Sequence, residues 1–324
     1  MGLILLYHRV CELASDPQRL AVSPDRFSKQ LEILNTHFRL MELPAFMEQA
    51  GRRALPSDAV AVTFDDGYAD NLEYAQPLLE QWRAPVTVFV ATDYIGGDRE
   101  FWWDDLERLL LTEGSLPRHL RLKIGTDTRE WNLDGAADYD AAVCARHASW
   151  HVERREDPTT RHRVYRELCG RLRSCSPAVR DAVLRELSDQ ARGTAGPRPT
   201  HRALSASEVR QLNRGPSIDI GAHSASHAAL SALAGDQQKL EILSSRSAIE
   251  KVTGCTPSAF AYPFGTASDY TKATVGHVRE AGFSCACVAT PGKVGPGSDP
   301  LRLPRLIVRD WDPDLFEDRL REWL

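Results

Sequence analysis

A strand–helix–strand unit between residues 59 and 91 constrains this chain more than any other stretch. The run Ala59-Val60-Ala61-Val62-Thr63-Phe64 is apolar and β-branched without alternation, as a strand buried on both faces requires. A helix is predicted over 71–83, and Pro85-Val86-Thr87-Val88-Phe89-Val90-Ala91 reads as a second buried strand. Such a unit implies parallel strands with a right-handed crossover, and ligands gather at the carboxyl ends of those strands. Asp65 and Asp66 stand at that end of the first strand, directly before Gly67. Two adjacent carboxylates repel each other, so a compensating partner is expected. The plainer reading is a polar turn whose acid caps the next helix.

The same pattern runs through most of the chain. Leu3-Ile4-Leu5-Leu6-Tyr7-His8 is predicted as a first buried strand with a polar tip. A helix follows over 23–38, with Ser23 as cap, Pro24 in its first turn and Phe27, Leu31 and Leu34 at helical spacing. Later, Ser205 and Glu208 have capping-box spacing and open a short helix to Asn213. Ile218-Asp219-Ile220-Gly221-Ala222 is a short strand that delivers His223-Ser224-Ala225-Ser226-His227. A helix over 236–252 precedes a strand that runs into Tyr262-Pro263-Phe264-Gly265. A helix over 270–281, strands over 283–289 and 301–308, and a closing helix over 314–324 complete the pattern. Between about 98 and 200 the alternation stops, with helical periods over 100–111 and 164–190. The arginines there read as a solvated helical face, with anion binding as the lesser reading. Phe101-Trp102-Trp103 reads as core packing rather than sugar stacking, and Gly193 to Pro199 as a linker. The expectation is a single domain over 1–324, interrupted by a helical insertion at about 98–200. The insertion leaves from the carboxyl end of the 85–91 strand, so it is expected to flank the catalytic rim.

Composition narrows the function classes. At 324 residues and 42% hydrophobic content the chain can bury a large core. Its net charge of −5, with signs mixed, gives no case for a nucleic-acid partner. No run of 18 apolar residues predicts a transmembrane segment, and Met1 to Val10 has neither a basic leader nor a cleavage site. A cytoplasmic protein is therefore expected. The seven scattered cysteines suit free thiols, with Cys285 and Cys287 as small core residues on one strand face.

His223 and His227 are four residues apart, so a turn or tight loop can aim both imidazoles at one point. Both motifs sit just after a strand, so parallel strands bring the histidines and the aspartates to one rim. Two histidines and one carboxylate leave an open position for water, the arrangement of a catalytic divalent-metal site. Neighbours on an extended strand point to opposite faces. Of Asp65 and Asp66, one is thus expected to bind metal and the other to handle protons. That geometry argues against a glycosidase pair, whose carboxylates flank one bond. Ser224 and Ser226 have no relay partner in view.

Thr63-Phe64-Asp65-Asp66-Gly67, His223-x3-His227 and Tyr262-Pro263-Phe264-Gly265, in that order, resemble the polysaccharide deacetylase family, or carbohydrate esterase family 4. The resemblance covers 1–97 and 201–310. It implies an α/β fold, a distorted (β/α)7-type barrel, and hydrolysis of N-acetyl groups on sugars with one divalent metal ion, most often zinc. It also implies Asp65 as general base, Asp66, His223 and His227 as metal ligands, and the backbone N–H of Tyr262 as oxyanion donor. Three departures stand out. The family's late Leu-x-His motif is matched at the start of the chain, by Leu6-Tyr7-His8, as in a circularly permuted branch; His8 is then the general acid. The usual arginine before the Tyr-Pro turn is replaced by Ala259 and Ala261, so Arg305 is expected to orient Asp65, a surface arginine being the other reading. For the family's Asp/Trp motif, Asp310-Trp311 is a weak substitute. In the implied reaction the metal polarises the acetamide and activates water, Asp65 takes the proton, and His8 protonates the leaving amine. The expected partner is an N-acetylated saccharide, lipid- or nucleotide-linked if the protein is cytoplasmic. The alternatives are a metal amidohydrolase acting on a non-sugar amide or another acyl group, and an inactive carbohydrate-binding relative.

Overall fold

The computed structural model describes residues 1–97 and 99–323. The expected first residue of the insertion, 98, and the last of the closing helix, 324, lie outside the described residues. The chain divides into two compact units, one of residues 1–12, 20–96 and 203–324, the other of residues 13–19 and 97–202.

The first unit is built on seven parallel strands: β1 (Leu3–Tyr7), β2 (Ala59–Phe64), β3 (Val86–Val90), β4 (Ile218–Ala222), β5 (Ala259–Ala261), β6 (Cys285–Cys287) and β7 (Leu306–Ile307). Their order is β6-β5-β4-β3-β2-β1-β7, with the short strand Arg39–Leu40 pairing β2 off that path. A parallel bridge between Cys287 and Leu303 ties β6 to the segment that leads into β7. The strand path therefore closes on itself as a (β/α)7-type barrel. In β1, Leu5 sits opposite Val62 of β2 on one side and Leu306 of β7 on the other.

Side-chain parity divides the barrel. Leu3, Leu5, Tyr7, Val60, Val62, Phe64, Val86, Val88 and Val90 pack in one core, and the helix residues Phe27, Leu31 and Leu34 join them. The alternate positions Ile4, Ala59, Ala61, Phe89, Ala259, Ala261, Cys285, Cys287 and Leu303 form a second core. This second set is the barrel interior, and its alanines follow from the narrow lumen of a seven-stranded barrel. Gly221 makes room there for Phe89, whose ring a Cβ at 221 would meet at 2.4 Å. The same parity carries the interior face from Ala59 and Ala61 to Thr63 and Asp65, and from Leu303 to Arg305. The site is thus the upper layer of the interior.

Several elements differ from the sequence expectation. The predicted 23–38 helix is Pro24–His37, but Ser23 does not cap it; the Ser23 hydroxyl donates to Asp310. The 71–83 helix opens as a π turn over Asn71–Ala75 before the α-helix Gln76–Trp82. The helix Leu43–Gly51 was not foreseen. The capping box at Ser205 and Glu208 is present as expected.

The second unit contains the helices Trp102–Leu110, Ala141–His147, Thr160–Arg173 and Pro177–Gln190. The predicted 164–190 helix is two helices because Pro177 cannot continue the first and instead starts the second. The unit is not all helical. His119–Ile124 and Asp127–Asn132 form an antiparallel hairpin, in which Leu120, Leu122 and Ile124 are buried and the residues between them exposed. That period of two is present in the sequence, in a segment flanked by stronger helical signals. Phe101, Trp102 and Trp103 are buried, with Phe101 and Trp103 stacked at 4.8 Å, so they are core. All seven cysteines are free thiols, and burial pushes the Cys287 thiol up to about 12. Among the described residues no helix is long and apolar enough to cross a membrane.

Candidate metal and catalytic site

The site lies where β1, β2, β4, β5 and β7 reach their carboxyl ends. β2 delivers Asp65 in the extended register: its N–H donates to the Tyr7 carbonyl (2.9 Å), which continues the β1–β2 ladder. Asp66 then turns into the left-handed region with φ +75°. The two carboxylates diverge through this turn, and not through the simple strand alternation that the sequence suggested. Gly67 follows at φ +80°, and a Cβ there would press on Val90.

Asp65 faces Arg305. The guanidinium grips it with two bonds of 2.7 Å, one to each carboxylate oxygen. It also donates to the Thr63 hydroxyl (3.1 Å) and the Val288 carbonyl (3.0 Å). Arg305 is completely buried, which excludes the surface-arginine reading. Burial alone would raise the Asp65 carboxyl, but the charges of Arg305 and His223 and the Arg305 hydrogen bonds hold it below its usual value. Asp65 is therefore ionised and oriented, as a proton acceptor must be.

Asp66 faces the histidines. Its Oδ1 lies 3.5 Å from His223 Nε2 and 3.2 Å from His227 Nε2. Burial opposes its ionisation, but hydrogen bonds from His223 and His227 bring its pKa well below the usual value. His223 Nδ1 pairs with the Ala261 carbonyl at 2.8 Å. That contact makes Nδ1 the donor to the carbonyl and points Nε2 at Asp66, so Nε2 is the nitrogen that would ligate a metal. One ligand atom from each of Asp66, His223 and His227 lies within 4.8 Å of the other two. Two imidazole nitrogens and one carboxylate oxygen, converging and buried, fit a zinc-class divalent ion. The loop that carries both histidines is held by Glu241, which accepts from the N–H groups of Ala225 (3.0 Å) and Ser226 (2.8 Å) and from the Ser226 hydroxyl (2.7 Å). The Ser224 hydroxyl accepts from the His227 N–H. Both serines serve the loop and neither is placed as a nucleophile.

His8 follows β1 directly, half-buried, beside Asp65 on the neighbouring strand. Burial pushes its imidazole below the ordinary value, against the pull of the Asp66 and Asp65 carboxylates. It therefore shares the electrostatic field of the site although 57 residues separate it from Asp65 in sequence.

Tyr262 requires a correction. Its backbone N–H donates to the Cys287 carbonyl (3.1 Å) in the β5–β6 ladder, and its hydroxyl donates to the Leu301 carbonyl. The expected oxyanion donor is thus spent on the barrel. Two residues on, Phe264 sits at φ +61° with its ring edge-on to His227, at 4.8 Å between centroids. Asp310 accepts from the Ser23 N–H and pairs with Arg26, which is a structural role at the start of a helix.

The second unit holds another cluster of metal-ligand types, Asp104, Glu107 and His201. Arg198 already donates to Glu107 (2.9 Å) and Glu100 (2.7 Å), so a guanidinium supplies the positive charge there.

The polysaccharide deacetylase family profile matches residues 52–115 and 190–286. The chain belongs to the polysaccharide deacetylase family. The matched residues include Asp65, Asp66, His223 and His227, whereas His8 and Arg305 lie outside them. Solved structures of the same fold include the Streptococcus pyogenes deacetylase PplD in complex with acetate, at 15% identity and TM-score 0.60, covering 99% of this chain and 97% of that one. IcaB from Ammonifex degensii is similar at 18% identity and TM-score 0.57, covering 99% and 95%. The de-N-acetylase from Aggregatibacter actinomycetemcomitans is similar at 12% identity and TM-score 0.56, covering 100% and 99%. Among curated proteins none matches the chain in sequence. At these identities the structural likeness carries the fold, and the chemistry rests on the residues of the rim.

Proposed function

We propose that this protein is a metal-dependent hydrolase that removes an N-acetyl group from an amino sugar and releases acetate. The observation that carries this reading is the division of labour between adjacent carboxylates. Asp65 is locked to Arg305, and Asp66 converges with two histidines. Asp66, His223 and His227 would hold the divalent ion. When bound, such an ion supplies Lewis acidity, polarising the acetamide carbonyl and making water a better nucleophile at neutral pH.

The chain's own residues move the protons. Asp65, ionised, accepts a proton from the attacking water as its oxygen bonds to the acetyl carbon. Arg305 keeps both Asp65 oxygens in a fixed plane throughout, so the base needs no reorientation at the moment of reaction. His8, acting in its imidazolium form, then delivers a proton to the amine nitrogen as the carbon–nitrogen bond breaks and is left as neutral imidazole. Acetate and a free amino sugar leave. The Tyr262 N–H takes no part.

The test is acetate release from oligomers of N-acetylglucosamine, with and without chelation. The intact protein should release acetate, Asp65→Asn should abolish it, and His8→Asn should lower kcat on the order of 10² to 10⁴-fold. Turnover of simple non-sugar amides without any on N-acetylated sugars would replace this reading with a different amidohydrolase. Sugar binding without acetate release would make the protein an inactive carbohydrate-binding relative. Comparing free with diphosphate-linked N-acetylated sugars in the same assay tests the expected carrier-linked substrate.

A further inference from the structure

We infer that Asp70 and Asn71 are positioning residues that set His8 in register with Asp65; this rests on the general-acid reading of His8. β1 ends at Tyr7, and the next pairing of this segment is the short parallel contact of Arg9–Val10 with Ala21–Val22. His8 lies between the two pairings, in neither strand. What holds its backbone comes from the acidic turn after β2. Asn71 Nδ2 donates to the His8 carbonyl at 2.9 Å. Asp70 grips the next two residues at once: Oδ1 accepts from the Val10 N–H (3.1 Å) and Oδ2 from Arg9 Nε (2.9 Å). The Arg9 guanidinium is further fixed over the Tyr68 ring, 4.3 Å from its centroid. One short turn, residues 65–71, therefore carries both aspartates of the site and the clamp on the residue proposed as acid.

Two features set this clamp apart from ordinary loop packing. Asn71 opens the π turn Asn71–Ala75, a geometry found disproportionately at functional sites. Its Oδ1 is buried without a hydrogen-bond partner, while its amide nitrogen serves His8 and Asp70. A buried, unpaired amide oxygen carries an energetic cost that an apolar side chain of similar size would not. Stability alone therefore does not account for an amide at this position. The donor to His8 does.

The experiment is a double-mutant cycle between Asn71→Leu and His8→Asn, read by acetate release from N-acetylglucosamine oligomers, with bound metal measured in parallel. Asn71→Leu should lower kcat about tenfold or more, with KM within about twofold and metal content unchanged. In the His8→Asn background it should cost nothing further. Equal losses in both backgrounds, or full kcat in the single variant, overturn the inference. If His8→Asn itself keeps normal kcat, the acid reading falls and takes this inference with it. If His8→Asn is costly and Asn71→Leu silent, only the inference fails. Should Asn71→Leu not fold, Asp70→Asn loosens the same clamp through Arg9 and Val10, and the cycle is read in the same way.

Discussion

Replacing Arg305 with Met should separate what holds the barrel from what drives the reaction. The guanidinium is fully buried and Asp65 is 4% exposed. The change removes both 2.7 Å charge-assisted bonds to Asp65 and withdraws a donor from the Val288 carbonyl. Thr63 is less affected, because its hydroxyl still donates to the Leu5 carbonyl at 2.7 Å. Breaking a buried pair from one side costs about 3 to 5 kcal/mol, since the other charge is left uncompensated. An orphaned carbonyl adds roughly 1 kcal/mol. A loss of about 5 kcal/mol is therefore expected, a large part of the ~5 to 15 kcal/mol that holds a typical domain. The assay is urea unfolding followed by circular dichroism, in chelator and again with added zinc. A bound dication near Asp66 would offset part of the stranded charge, so the loss should be larger in chelator. The double variant Arg305→Met with Asp65→Asn removes both charges and should regain about 2 kcal/mol over Arg305→Met, yet stay inactive. A single variant within about 1 kcal/mol of the intact protein, or a double variant less stable than the single, would refute the reasoning.

Replacing His223 or His227 with Ala should abolish tight binding of one divalent ion per chain, measured by elemental analysis after dialysis; full metal content in both variants would remove the ligand assignment. Glu241→Gln leaves every ligand in place but weakens the anchor of the histidine loop, so zinc affinity should fall about 10 to 100-fold in a competition titration. In the second unit, burial pushes the His162 imidazole down to about 4. A histidine kept neutral in the fold contributes stability that is complete above its unfolded value near 6.5. That stability is lost as pH falls from there toward 4, by at most about 3 kcal/mol. His162→Gln should flatten this part of the stability–pH curve, and an unchanged slope would show that another group carries it.

Much of the site was legible because strand ends are legible. Runs such as Ala59 to Phe64 announce buried parallel strands, and whatever follows them must lie on one rim. That places Asp65, Asp66, His223 and His227 together from the sequence alone. His8 follows from the same logic, since β1 lies between β2 and β7 in the closed path. Arg305 was legible only as a candidate, because its role depends on parity: Leu303 faces the interior, so Arg305 does too, on the level of Asp65. Register was not legible at β5. There the ladder takes the Tyr262 N–H, and nothing in Tyr262-Pro263-Phe264-Gly265 shows where pairing stops. Asp70, Asn71 and Glu241 gave no signal, since a polar residue after a turn or on a helix has many plain explanations.

Backbone conformation at the rim was the least legible feature, and it bears directly on how the site works. Asp66, Ser224, His227 and Phe264 all have positive φ, between +53° and +75°, and none is glycine. Each such residue costs on the order of 1 kcal/mol or more and persists only where its surroundings over-determine it. The surroundings here are specific. The Asp66 carbonyl accepts from the Ala91 N–H, the Ser224 carbonyl from the Thr92 N–H and the Ala225 carbonyl from the Asp93 N–H. Residues just past β3 thus pin both the acidic turn and the histidine loop. These bonds join the acidic turn and the histidine loop through β3, which contributes none of the three candidate ligands. With that scaffold the three candidate ligand atoms already converge, so a divalent ion bound there would not spend its free energy on ordering loops. The strained turns are consequently the means by which a rigid barrel brings Asp66, His223 and His227 to one point while Asp65 stays with Arg305.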